Sequence, residues 1–261
     1  MSEAKFQCRR RSPYNQTMRL MGIIAHPDDE ASFGGSLLLY RERGVETLLV
    51  CLTPGQAATH RGGAANDQEL SDMRRKEFAA SCEILKVSRG VVLDYPDGKL
   101  HRIDLYNAVC ELTRHVREFR PDVLIIFGTE GGVTGHTDHS MAGVAGSLAF
   151  QWAGRNNRYP DQLKDGLQPH RTKKLYQTSP MFELSGRQPI TFPPVSATIE
   201  VSKYVEAKIQ AFKSHISQAP LWPIFEENIR KRDPIEHFHL AARADPGPAV
   251  VENDLFDGII R

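Results

Sequence analysis

Four short, almost unbroken apolar runs, separated by segments with helical periodicity, constrain this chain more than any other feature. They fall at residues 19–25, 47–52, 91–93 and 123–127. Between them lie helix-like segments at 32–43 and 69–86, where Leu70, Met73, Phe78, Cys82 and Leu85 recur near helical spacing. A third is marked by Ile103, Tyr106, Val109, Cys110 and Val116, and a fourth covers 140–152. A strand that is apolar throughout is buried on both faces, so helices must cover both sides of its sheet. The expected fold class is therefore α/β, a Rossmann-like, mostly parallel sheet with helices on both faces. Sheets of this kind bind ligands beyond the carboxyl ends of their strands.

After residue 154 the pattern loosens. Residues 155–166 are polar and read as a loop. Strands are expected at 174–177 and 197–201, helices at 205–216 and 221–230, and a late strand at 238–241. Trp222, Phe225 and Ile229 would share one side of the last helix, where Leu221, Trp222 and Phe225 could pack internally or against another subunit of a homo-oligomer. No linker divides this part from the rest. The expectation is one domain over 18–261 with a smaller C-terminal strand/helix extension, preceded by a polar tail over 1–17. Arg9, Arg10 and Arg11 in that tail read as a solvated run.

Size and composition exclude several classes. With 261 residues, 40% hydrophobic and 25% charged, the chain can bury a core without staples. A formal net charge of +1 gives no large field for nucleic acid or anionic membrane. There is no apolar stretch of about 18 residues to span a bilayer, and no apolar leader segment before Met18. Cys8, Cys51, Cys82 and Cys110 lack metal-ribbon or redox spacing. Buried thiols in a reducing, cytoplasmic setting are the simplest reading.

Two polar clusters follow buried strands. The first is His26-Pro27-Asp28-Asp29-Glu30 and the second Gly135-His136-Thr137-Asp138-His139. Zinc in a hydrolase takes three protein ligands and leaves a position for water. His26, Asp29 and His139 offer two neutral nitrogens and one carboxylate, a set that also fits Fe2+ or another divalent metal. Asp28 is then free as general base, and His136 could stabilise an oxyanion or protonate an amine. Asp138 could orient His136 or a ligand. The first cluster could equally cap the following helix, where carboxylates meet the positive dipole end.

With these residues in view, the chain resembles the PIG-L/LmbE-like deacetylases. Residues 25–30 (AHPDDE) and 135–139 (GHTDH) look like that family's two signature motifs. The helix bearing Arg74 and Glu77, the Asp97-Gly98 turn and His215-Ile216-Ser217-Gln218 resemble further family segments, over about residues 18–240. The resemblance implies a zinc-dependent N-deacetylase acting on an acetylated amino sugar of the N-acetylglucosamine type, or on a small conjugate of one. It implies His26, Asp29 and His139 as metal ligands, Asp28 as base and His136 as oxyanion or acid partner. Arg74 would face substrate, and Asp97 could meet sugar hydroxyls. Residues 54–66 form a candidate covering loop. His215 reads as a structural hydrogen-bonder, His237 and His239 as part of an edge strand, and Glu30 is left without a chemical role.

Two other functions compete. A non-haem iron oxygenase shares the two-histidine, one-carboxylate set, although an all-β strand pattern would be expected around it. A catalytically silent sugar- or nucleotide-binding module would suit the sheet, although no G-x-G-x-x-G follows the first strand.

Overall fold

The computed structural model describes residues 17–184, 186–248 and 250–259, so Cys8 and the Arg9–Arg11 run lie outside the described residues. β1 (Arg19–Ile24), β2 (Glu46–Cys51), β3 (Arg89–Val92), β4 (Val123–Ile126), β5 (Lys174–Thr178), β6 (Ala197–Glu200) and β7 (Ile235–Arg243) form one sheet in the order β3-β2-β1-β4-β5-β7-β6. β1 to β5 are mutually parallel where they pair, and β7 runs antiparallel to both β5 and β6. The expected mostly parallel α/β sheet is what forms. The chain winds outward from β1 through β2 to β3, then returns to place β4 on the other side of β1. The switch point thus lies between β1 and β4.

Side-chain alternation along β1 explains why both faces need helices. Leu20 and Ile24 enter an apolar layer with Leu37, Phe78 and Ala211, from α1 (Gly34–Glu42), α2 (Asp67–Ile84) and α6 (Val205–Lys213). Met21 and Ile23 enter the opposite layer with Val109, Leu112, Ala142 and Ala145, from α3 (Leu105–Phe119) and α4 (Thr137–Ala153).

α4 comes unusually close to the sheet, because small residues line its inner side. A Cβ on Gly143 would lie 2.4 Å from the Phe127 carbonyl oxygen, and one on Gly146 would lie 2.7 Å from Ile126 Cγ2.

The structure departs from the sequence expectation in four places. Residues 155–166 are not all loop: α5 (Pro160–Lys164) sits inside them. Proline occupies its first turn, where a missing N–H costs nothing. The segment is ordered by Arg117, 1% exposed, which donates to the carbonyls of Ala153, Arg155, Arg158 and Tyr159 and to Gln162 Oε1. α4 begins at Thr137 rather than at 140, so the second cluster lies in its first turn. The helix expected over 32–43 is preceded by a 3-10 turn (Asp29–Phe33). The strand with His237 and His239 is β7, which has neighbours on both sides, and β6 is the edge. His239 Nδ1 meets the Pro194 carbonyl at 2.8 Å. The last helix, α7 (Trp222–Arg230), packs inward through Phe225, which stacks on Phe212 at 3.9 Å.

The α4 contact can be tested with one methyl group. Gly143→Ala should lower unfolding free energy by about 1–3 kcal/mol, because the backbone it would strike cannot rotate away. Gly154→Ala, whose Cβ would meet only ordinary contacts from 3.4 Å outward, should stay within about 0.5 kcal/mol of wild type in the same denaturation series.

Candidate active site

β1 and β4 pair in parallel register, Leu20 with Val123 and Gly22 with Ile125, so the chain leaves both strands at one level of the sheet. From β1 come His26, Asp28 and Asp29. From the loop after β4 and the first turn of α4 come His136, Asp138 and His139.

His26 Nδ1 lies 3.2 Å from His139 Nε2. Asp29 brings Oδ1 to 3.0 Å from His139 Nε2 and Oδ2 to 3.6 Å from His26 Nδ1. The far side of each ring fixes its tautomer. His139 Nδ1 faces the Gly131 carbonyl at 3.1 Å, so that nitrogen carries the proton and Nε2 carries the lone pair. Phe127 stacks flat on the same ring at 4.2 Å. His26 Nε2 faces Asp97 Oδ1 at 3.0 Å and Asp138 Oδ2 at 3.4 Å, which puts its proton there and the lone pair on Nδ1. Three electron-rich atoms therefore converge with no donor among them. Such a set needs a cation, either a proton or a divalent metal, and two imidazoles with one carboxylate suit zinc.

Electrostatics supply the proton when metal is absent. Burial opposes charge on His26, but Asp138, Asp29 and Asp97 outweigh it and hold its pKa well above the ordinary histidine value. Burial likewise opposes ionisation of Asp29, but His139 and His26 hold its carboxyl well below the usual range.

Asp97 and Asp138 are turned to this task on every oxygen. Asp97 Oδ2 accepts from the Ala57 amide at 2.9 Å. Asp138, fully buried, accepts from the Gly98 and Leu100 amides at 2.6 and 3.1 Å. Asp97, which the sequence reading placed toward sugar hydroxyls, thus has each oxygen engaged once within the protein, one of them on His26. Asp138 backs His26 through its carboxylate and reaches His136 only through its own backbone.

His136 is the N-cap of α4. Its Nδ1 accepts the Asp138 amide at 3.1 Å, so the neutral ring presents Nε2–H outward as a donor. Burial, with His26 and His139 nearby, lowers its pKa and keeps it neutral. Its ring stands edge-on to His26 at 4.8 Å between centroids, and a ring nitrogen of each of His26, His136 and His139 lies within 4.8 Å of the others. His136 is nevertheless the odd member of that trio, because the proton fixed on Nε2 leaves it no free lone pair.

Asp28 sits beside the trio in an unusual backbone state, φ 106° and ψ −23°, which costs a residue with a Cβ about 1–3 kcal/mol. Its carboxylate is 2.8 Å from Arg74 Nη2. Burial raises its pKa, and Arg74 only partly pulls it back. Arg74, 3% exposed, also donates to the Pro27 and Gly55 carbonyls, so it grips Asp28 rather than extending to solvent. Gly55 makes this possible: at φ +69° it has no Cβ, and one would lie 2.1 Å from Arg74 Nη1. The sequence reading did not single out this dependence, which a glycine after the Thr53-Pro54 turn could have signalled.

The fold and the sequence both have known relatives. The structure aligns with the N,N'-diacetylchitobiose deacetylase of Pyrococcus horikoshii at a TM-score of 0.74 and 22% identity, covering 88% of this chain and 85% of that one. The fold is that of the LmbE-like deacetylases. Residues 21–150, which contain both clusters, match the model of the PIG-L family, GlcNAc-PI de-N-acetylase. A diacetylchitobiose deacetylase from Thermococcus kodakarensis is 29% identical over 223 residues, 84% of this chain and 77% of that protein. A mycothiol S-conjugate amidase from Streptomyces coelicolor is 32% identical over 163 residues, 55% of each. Residues 21–150 carry a PIG-L family domain.

The tautomer argument predicts linked metal and proton binding. Loading with zinc should displace the proton on His26, so affinity should fall about tenfold per pH unit below its raised pKa. Calorimetry in buffers of different ionisation enthalpy should report that release. Asp97→Ala should weaken zinc binding by about 10- to 100-fold, because His26 loses the partner that fixes its tautomer. Unchanged affinity would remove Asp97 from this role.

Proposed function

We propose that this chain is a divalent-metal-dependent deacetylase that hydrolyses the acetamide of an N-acetylglucosamine-type sugar or a small conjugate of one. The observation that carries the reading is the convergence of His26 Nδ1, Asp29 and His139 Nε2 next to a separately held carboxylate on Asp28. His26, Asp29 and His139 would hold the metal, with zinc the best fit to the donor set. When bound, it would supply positive charge that acidifies a water and polarises the acetyl carbonyl.

The remaining chemistry belongs to the chain. Asp28 takes the proton from the attacking water, and its raised pKa lies closer to neutrality than that of a free carboxyl. The His136 Nε2–H donates to the carbonyl oxygen as negative charge develops there, the position at which a preorganised donor acts most strongly. Protonated Asp28 then gives its proton to the departing nitrogen, releasing acetate and the free amine. Asp97 and Asp138 hold His26 in one tautomer throughout. Relatives named for diacetylchitobiose and mycothiol conjugates support an amide on an amino sugar or its conjugate as the substrate class.

The competing readings fit less well. An all-β surround was expected for the iron oxygenase, and the clusters instead leave parallel strands of an α/β sheet. A dinucleotide binder needs the helix N-terminus after β1 free for phosphate. Here Glu236 fills it, accepting from the Gly35 and Ser36 amides at 2.9 and 2.8 Å, with Lys208 on the same carboxylate at 2.6 Å. A silent module would have no use for a gripped base beside the ligand set. A cytoplasmic location accords with the free thiols of Cys51, Cys82 and Cys110. No helix among the described residues is long and apolar enough to cross a membrane.

Acetate release from N-acetylglucosamine and N,N'-diacetylchitobiose, with defined zinc loading, tests the assignment directly. Asp28→Asn should retain the metal and lose about 10²- to 10⁴-fold in kcat, and near-normal turnover would dismiss Asp28 as base. Arg74→Gln should move the acid limb of kcat/KM to higher pH. Arg74 stabilises the ionised carboxylate, so its loss raises the pKa of a group that must be deprotonated to work. Arg74→Lys, which keeps the charge, should shift that limb less.

A further inference from the structure

We propose that Glu30 and His215 are positioning residues for Asp28, which they hold in its strained backbone state through its amide while Arg74 holds its carboxylate. The inference rests on the reading of Asp28 as general base. Neither residue touches the converging ligand atoms, and neither has a part in the chemistry described above.

The Asp28 amide donates to Glu30 Oε2 at 2.9 Å. Glu30 is fully buried, and its other oxygen meets His215 Nε2 at 2.6 Å, also fully buried. His215 precedes a 3-10 segment (Ile216–Leu221) that is anchored in turn. Ser217 donates to Glu77 through its amide at 2.6 Å and its hydroxyl at 2.7 Å. Glu77 lies three residues after Arg74 on α2, and Arg74 closes the circuit on the Asp28 carboxylate.

The result is a ring of buried polar groups running from Asp28 to Glu30, His215, Ser217, Glu77, Arg74 and back. It fastens the base at two points, its amide and its carboxylate. A residue with a Cβ relaxes from positive φ unless its surroundings over-determine it, and here two independent bonds do so. Each bond of the ring joins largely buried groups, so breaking one leaves an unpaired polar group, although His215 Nδ1 and Arg74 Nε themselves have no hydrogen-bond partner. A first-turn carboxylate can bond back to the N-cap amide as an ordinary cap, but a cap alone has no need of a buried histidine 185 positions along the chain.

The test separates positioning from simple stability. Glu30→Ala, compared at full zinc occupancy, should lose about 10²-fold in kcat while KM changes by less than about twofold. Glu30→Gln, which keeps an oxygen for the Asp28 amide, should recover most of that loss. In an Asp28→Asn background Glu30→Ala should cost less than about twofold more, because it acts through the group already removed. Hydrogen exchange of the Asp28 amide should accelerate in Glu30→Ala while the Gly22 and Ile23 amides in β1 stay protected. Unchanged kcat in the metal-loaded variant, with the Asp28 amide still protected, would overturn the proposal. If Glu30→Ala does not fold, His215→Leu removes the support and leaves Glu30 in place, and should show the same exchange and kcat signature at smaller amplitude. Wild-type protein that releases no acetate would defeat the activity reading, while the exchange measurement would still decide whether Glu30 holds Asp28.

Discussion

The parallel pairing of β1 with β4 is the contact on which the rest of the site depends. These strands are about a hundred residues apart in sequence, yet Met21 sits opposite Leu124. Because both strands are buried on both faces, register is set by the core and not by the polar residues that follow. A slip of one position would turn Ile23 and Ile24 each into the wrong layer. The same slip would move His26 by one residue against His139. The apolar core therefore decides which polar residues meet at the site.

That arrangement is costly in isolation. Lone pairs facing one another at about 3 Å repel, and buried carboxylates lose their water. Each cost is met locally. Backbone amides of Ala57, Gly98 and Leu100 anchor the carboxylates behind His26, and the amides of Ala25 and His26 hold Asp29 Oδ2 at 3.1 and 2.8 Å. What remains uncompensated is the centre itself, which a cation completes. A stable fold thus carries an affinity for a positive charge at one point, and α4 delivers His139 there only because Gly143 and Gly146 let the helix close on the sheet.

Much of this was legible in the sequence. The apolar runs announced the parallel sheet, since only a doubly covered sheet needs strands like residues 123–127. Both clusters stood out because they interrupt such runs with ligand chemistry. The backing role of Asp97 was not legible, and for Asp138 the sequence offered a role orienting His136 or a ligand without saying which. A turn aspartate and a helix-start aspartate look alike whether they face substrate or a histidine, and only the fold brings residues 97 and 138 to one nitrogen of His26. The start of α4 was missed for a related reason: histidine is a rare N-cap, and its ring accepts the Asp138 amide where a serine would ordinarily be sought. Arg117, which orders residues 153–162 through carbonyls alone, left no periodic trace at all.

Glu30 shows where local reading stops and topology begins. As a carboxylate at the head of a helix it satisfies a dipole rule, and nothing nearby in sequence asks for more. Five strands separate it from its partner His215, whose segment the sequence marked only by its resemblance and by reading His215 as a structural hydrogen-bonder. The fold joins them because α2 and the Ile216–Leu221 turn pack side by side over the end of β1, with Glu77 and Ser217 as the seam. A carboxylate held at both its amide and its oxygens has little freedom to rotate. Rigidity at Asp28 is thereby drawn from the C-terminal half of the chain, beyond the 21–150 region that carries the family's motifs.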